Sequence, residues 1–144
     1  MATLAQVLTQ MANQIRDIVA DVTDIAVQVE DRMVLNPTPP CIDMWPADPS
    51  EDPSFAGFGE IDGGEVFTIR ARVSTADNTA GQDLLLAFMD DEDPLSIGAA
   101  LFSDDTLNGW AQTLHVQARS GYVLVPDQSN EGALWTVTVV KGDS

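Results

Sequence analysis

From Leu4 onward, apolar residues recur as Leu4, Val7, Leu8, Met11, Ile15, Ile18 and Val19. These steps place them on one face of a helix, with Gln6, Gln10, Asn13, Arg16 and Asp17 mainly on the other. Thr3 stands where an N-cap belongs, so the pattern predicts a helix over about residues 3–20. Six of the eight prolines (Pro37, Pro39, Pro40, Pro46, Pro49 and Pro53) then crowd the stretch 37–53 and forbid a long helix or a central strand. Residues 21–64 read as irregular, with short extended pieces at 26–30 and 41–44 and a long acid-, glycine- and proline-rich excursion over about 37–64. Alternation of period two returns at 65–74. There Phe67, Ile69, Ala71 and Val73 oppose Thr68, Arg70 and Arg72, the mark of a half-buried strand.

Asp77 or Asn78 next caps a helix carrying Leu84, Leu85, Leu86, Phe88 and Met89, which ends at the polar run Asp90-Asp91-Glu92-Asp93-Pro94. A short helix fits 96–101. Strands follow at 111–119, where Leu114, Val116 and Ala118 share a face, and at 133–140, which is rich in β-branched residues and contains Trp135. An antiparallel hairpin with a longish loop joins them. The order predicts an α+β domain spanning residues 1–144: a mostly antiparallel sheet with an N-terminal helix and one or two further helices packed on one face. A chain of 144 residues is of single-domain size and long enough to bury a core without staples.

Charge changes the picture. Twenty-three Asp and Glu face six Lys and Arg, a formal net charge of −17. Such a molecule should repel DNA, RNA and anionic lipid, so recognition of nucleic acid through a basic patch is not expected. Cys41 is the only cysteine, which rules out an internal disulfide or a cysteine-based metal site and suits a reducing compartment. The first helix, interrupted by Arg16 and Asp17, is neither a signal peptide nor a membrane span. The expected setting is cytosol until the protein joins something larger.

Candidate chemistry is sparse. His115, the single histidine, sits mid-strand facing away from Leu114 and Val116, and nothing local pairs it with Cys41 or a serine. Counted as a calcium loop from Asp90, the fifth, sixth and twelfth positions are Pro94, Leu95 and Leu101, so the motif fails. Gly57-Phe58-Gly59 and Gly63-Gly64 lack the lysine and the following helix of a phosphate cradle and read as turns. With so many acids, chance carboxylate neighbours are common and specify no reaction class. Trp45, Phe55 and Phe58 lie in the proline-rich acidic stretch, where large aromatics either fold back onto the core or anchor a partner. The reading is of a protein that is not an enzyme and uses no cofactor.

The run Val66-Phe67-Thr68-Ile69-Arg70-Ala71-Arg72-Val73 leads to Ala80-Gly81-Gln82-Asp83-Leu84-Leu85 and Met89-Asp90. Asp93-Pro94-Leu95-Ser96-Ile97-Gly98-Ala99-Ala100-Leu101, Asp105-Thr106-Leu107-Asn108-Gly109, Ala111 to Tyr122 and Gly132-Ala133-Leu134-Trp135-Thr136-Val137 follow. Together with the amphipathic start and Pro39-Pro40-Cys41-Ile42-Asp43, this order resembles the tail terminator proteins of long-tailed (siphovirus-type) bacteriophages, especially those infecting actinobacteria. The resemblance implies an α+β subunit of a hexameric ring that caps the head-proximal end of the tail tube, ends tube polymerisation and docks the head connector. It implies as partners further copies of the chain, the tail tube protein and a head–tail connector or stopper, with genomic DNA passing unbound and no membrane. The expected location is the tail neck of the virion after assembly in host cytoplasm.

Six copies would carry roughly −100 charges, which would repel phosphates in a lumen. Asp90, Asp91, Glu92 and Asp93 are accordingly candidates for the channel or its rim. Trp45, Phe55 and Phe58 are candidates for subunit or tube contacts. Like charge also opposes ring closure at low salt, so an isolated subunit can be monomeric. Two alternatives stay open: another neck component (connector or stopper ring), and an acidic DNA mimic.

Overall fold

The computed structural model describes residues 3–22, 26–35, 40–47, 64–74, 78–104, 106–119, 123–124 and 130–141. Helix α1 (Leu4–Val22) opens the chain, followed by strands β1 (Gln28–Val29), β2 (Cys41–Pro46) and β3 (Gly64–Ser74). Helices α2 (Asn78–Met89) and α3 (Ile97–Phe102) come next, then β4 (Ala111–Arg119), β5 (Val123–Leu124) and β6 (Asn130–Lys141). The sheet runs β1-β2-β3-β6-β4, with β5 also on β6. All pairings are antiparallel except β1 with β2. The fold is α+β, as the hydrophobic pattern predicts.

Local chemistry explains the elements. Thr3 and Gln6 form a capping box: the Gln6 N–H donates to Thr3 Oγ1 (3.1 Å) and the Thr3 N–H to Gln6 Oε1 (2.8 Å). From there α1 turns Val7, Leu8, Met11, Ala12, Ile15 and Val19 into the core. Gln14 is buried on the same face. Its amide donates to the carbonyls of Ala100 (3.2 Å) and Leu101 (3.0 Å) in the last turn of the short α3, where the Ala100 carbonyl also accepts from the Ser103 N–H (3.3 Å) and hydroxyl (2.6 Å). Ser96 caps the other end of α3, accepting the Ala99 N–H at 3.1 Å.

The core lies between these helices and one face of the sheet. Ile42 and Met44 of β2, Phe67, Ile69, Ala71 and Val73 of β3, and Ala133, Trp135, Val137 and Val139 of β6 meet Leu84, Leu85 and Phe88 of α2. The long central strands register from Gly64 with Val140 to Ser74 with Asn130. In β4 the simple alternation breaks. Register shifts between Ala111 and Thr113 and between Val116 and Ala118 bring both Ala111 and Leu114 to the buried side. The side chain of Ala118, expected beside them, lies outside the described residues.

The half-buried reading of β3 needs correction. Arg72, expected on a solvated face, is only 5 % exposed, because residues 31–35 lie over the second face of β2 and β3. Pro46 ends β2 without breaking it. It stands past the two-residue β1, and the Ala47 N–H resumes pairing with Val66 at 2.8 Å. The 48–63 part of the excursion, with Phe55 and Phe58, lies outside the described residues.

Before β4 the backbone turns left-handed, with φ of 50° at Leu107, 59° at Asn108 and 89° at Gly109. For a non-glycine residue this costs about 1–2 kcal/mol, but Leu107 is fully buried, a gain of about 1.5–3 kcal/mol. Asp104 holds the turn, accepting from the Thr106 hydroxyl (2.6 Å), the Asn108 N–H (2.9 Å) and the Thr106 N–H (3.1 Å). The Thr106 hydroxyl above all, then the Asn108 amide, lower the Asp104 carboxyl below its ordinary pKa. A carboxyl lowered in the fold contributes stability above its unfolded pKa of about 3.9, and that contribution drains away as pH falls through the folded value. Asp104→Ala is therefore expected to melt a few degrees below the parent at neutral pH. The gap should close in acid below the folded pKa, as thermal melts at both pH values would reveal.

Candidate functional site

On the sheet face turned away from the helices, three charges from two strands meet. β2 presents Asp43 and β3 presents Arg70 and Arg72, because Asp43 registers with Arg70 and Cys41 with Arg72. Asp43 is fully buried. Its carboxylate accepts Arg70 Nε at 3.0 Å and Arg70 Nη2 at 2.7 Å, a two-pronged grip, and also Arg72 Nη2 at 3.2 Å. The guanidinium of Arg70 lies 4.8 Å over the centroid of Trp45, which confines it from the open side. One acid and two bases leave a formal charge of +1 inside an acidic molecule. Arg72 Nε is buried with no hydrogen-bond partner among the described residues.

The cluster holds a loop. The Val34 N–H donates to Asp43 Oδ2 (2.8 Å), and its carbonyl accepts from Arg70 Nη2 (3.2 Å) and Arg72 Nη2 (2.9 Å). Upstream, Arg16 of α1 donates to the Val29 carbonyl (2.7 Å) and Thr9 to the Asp31 carboxylate (2.7 Å). Segment 29–35 is thus pinned at three points as it wraps the sheet edge from the helix side to the outer face. Of the six Lys and Arg in the chain, Arg16, Arg70 and Arg72 hold this segment and Arg32 belongs to it. On either side of the tethered Val34, Met33 is 50 % exposed and Leu35 81 % exposed. Apolar side chains fixed in water on a braced backbone can bind a partner without first ordering the loop.

The other candidate residues fall elsewhere. Asp90 Oδ1 accepts the Glu92 N–H (2.9 Å) and Asp93 Oδ1 the Leu95 N–H (2.9 Å), so these two carboxylates shape the turn after α2. Asp91 and Glu92 are exposed beside them. Leu86, Met89, Asp90 and Asp91 line a shallow open hollow in which Leu86 is 52 % exposed. Trp45 is brought to the ion cluster, not to the acidic turn. His115 is exposed on β4 across from Thr138. Cys41 is buried next to Arg72, and burial first, then the charge of Asp43, raise its pKa, so at neutral pH it is a thiol and a poor nucleophile.

Among the described residues, no three His, Cys, Asp or Glu side chains converge as a metal site, and no helix is long and apolar enough to cross a membrane. The loop and its ion cluster are absent from the sequence-derived candidates. The available signal was the spending of two scarce arginines at alternate positions of a strand, with an aspartate inside the apolar run Cys41-Ile42-Asp43-Met44. A scan against models of known protein families finds no match, and a search of curated proteins finds no significant match.

Proposed function

We propose that the chain is a structural subunit of a phage tail neck, a tail terminator whose ring caps the tube, stops its growth and receives the head connector. The observation that carries this reading is the pinned loop. Four of the six basic side chains hold or join a segment whose exposed apolar groups are Met33 and Leu35. A braced apolar projection suits association with another macromolecule and offers nothing for transforming a small molecule. The resemblance in element order and the α+β architecture agree with it.

The acidic surface fits the same role. A hollow axis lined by carboxylates lets DNA slide without sticking. Within the 90–93 turn, Glu92 suits that task best, because Asp90 and Asp93 are occupied with the turn itself and Asp91 lines the hollow beside Leu86.

Deleting the gene and imaging the particles tests the reading. Tail tubes of excessive and variable length are the expected result. Tubes of uniform length beside separate filled or leaking heads would instead assign the protein to the connector or stopper. Absence of the protein from purified particles would remove it from the virion altogether and favour the DNA-mimic alternative.

A further inference from the structure

We infer that the pinned loop is one half of a head-to-tail contact between copies of this chain: Met33 and Leu35 of one copy seat in the hollow formed by Leu86, Met89, Asp90 and Asp91 of the next. The inference deepens the ring reading above and rests on it.

Three observations select a second copy as the occupant. The first is position. Val34 is tied to the outer face of the sheet, through Asp43, Arg70 and Arg72. Helix α2 buries Leu84, Leu85 and Phe88 against the opposite face and leaves Leu86 in solvent. Projection and hollow therefore lie on opposite sides of the molecule. A pair of unlike patches so placed does not close as a two-fold dimer and instead links copies head to tail, the kind of contact that forms a ring when successive rotations close.

The second is charge. The groups that hold or belong to the loop are Arg16, Arg32, Arg70 and Arg72 against Glu30, Asp31 and Asp43, a sum of +1 in a chain of −17. The loop is thus a surface from which an acidic molecule is not repelled, and the hollow is rimmed by the exposed carboxylates Asp90 and Asp91. Among the described residues Arg32 reaches only the neighbouring Asp31, through its backbone carbonyl (2.8 Å) and, on the surface, its carboxylate at 3.4 Å. Such an exposed pair is weak and readily exchanged for a partner's carboxylate. The third is apolar matching. Each side presents large aliphatic or thioether groups, the exposed Met33 and Leu35 on one, the exposed Leu86 and the half-buried Met89 on the other.

Cysteine cross-linking of the full chain tests the contact. Purified Leu35→Cys and Leu86→Cys proteins are mixed at raised ionic strength, to screen the net repulsion, and oxidised. Cys41 does not compete, being buried and protonated. The expected product is a dimer joined 35 to 86, located by peptide mass spectrometry. The double variant alone is expected to give a ladder of linked oligomers. Links of 35 to 35 or 86 to 86, or none, would overturn the contact, as would capture of Leu35→Cys in particles by a different tail protein.

A charge test accompanies it. Arg32→Glu should lower the yield of the 35–86 product about two- to fivefold, and adding Asp91→Lys should restore it. Loss without restoration would place Arg32 away from the Asp91 rim and refute the docking as drawn. Tail length decides the terminator reading separately. A 35–86 link in a protein whose deletion leaves tails normal would keep the contact and discard the cap. Overlong tails without that link would do the reverse.

Discussion

Asp43→Ala is expected to lose about 3–5 kcal/mol of unfolding free energy, the usual cost of leaving buried charge without its partner. The carboxylate is fully buried and serves two guanidiniums, one of them 5 % exposed, as well as the Val34 N–H. Removing it puts two like charges side by side with no anion between them. The intact cluster need not stabilise the fold by a similar amount, because desolvating three charges offsets most of their attraction. Urea unfolding followed by tryptophan fluorescence measures the effect; a loss under about 1 kcal/mol would mean that the arginines swing to water at little cost. The loop should loosen with the cluster, so limited proteolysis near Met33 is expected to accelerate in the same variant.

Gly132→Val should be comparably damaging, for a steric reason. A β-carbon built at Gly132 lies 2.4 Å from the Ala71 carbonyl oxygen and 3.3 Å from Arg72 Cγ. The first neighbour is backbone of the central strand pair and has nowhere to go, so β3 and β6 must part locally. Overpacking of a closed site costs about 1–3 kcal/mol and occasionally more, and an obstruction by main chain belongs at the upper end. The same glycine leaves room for the aliphatic stem of Arg72, so the substitution also presses on the ion cluster. A thermal melt compared with Gly98→Ala separates the causes. At Gly98 the nearest atoms are side chains at 3.7 and 3.9 Å, and no steric penalty is expected.

Much of the architecture was legible because burial on one face writes a period into the chain. Leu4 to Val19 repeat as a helix and Phe67 to Val73 as a strand, and both elements stand where the pattern puts them. The two-residue β1 is too short to leave a period, and its parallel pairing with β2 depends on contacts 13 residues away, Gln28 with Cys41. The second face of β3 was misread for a related reason. Arginines at 70 and 72 look solvated by residue type, and the tertiary path of residues 31–35 buries Arg72 and covers part of Arg70. Of the candidate contact residues, Trp45 joined the ion cluster through its register on β2, which no linear pattern encodes. Leu86 stands in a run of three leucines in which residue type alone does not mark it as the one that faces solvent.

The centre of the sheet has a temporal consequence. Strands β3 and β6 are separated by 56 residues at Ser74–Asn130 and by 76 at Gly64–Val140. At ribosomal speeds of about 5–20 residues per second, β3 waits roughly 3–15 s for its mate. Until then one flank of an apolar strand is available to any other nascent chain, the usual opening to aggregation. Arg70 and Arg72 stand at alternate positions of that strand, and Asp43 on the earlier-made β2 can neutralise only part of their charge. Two such strands from different polyribosomes would bring their arginines together, so the same side chains that later brace the loop oppose that mispairing by like charge.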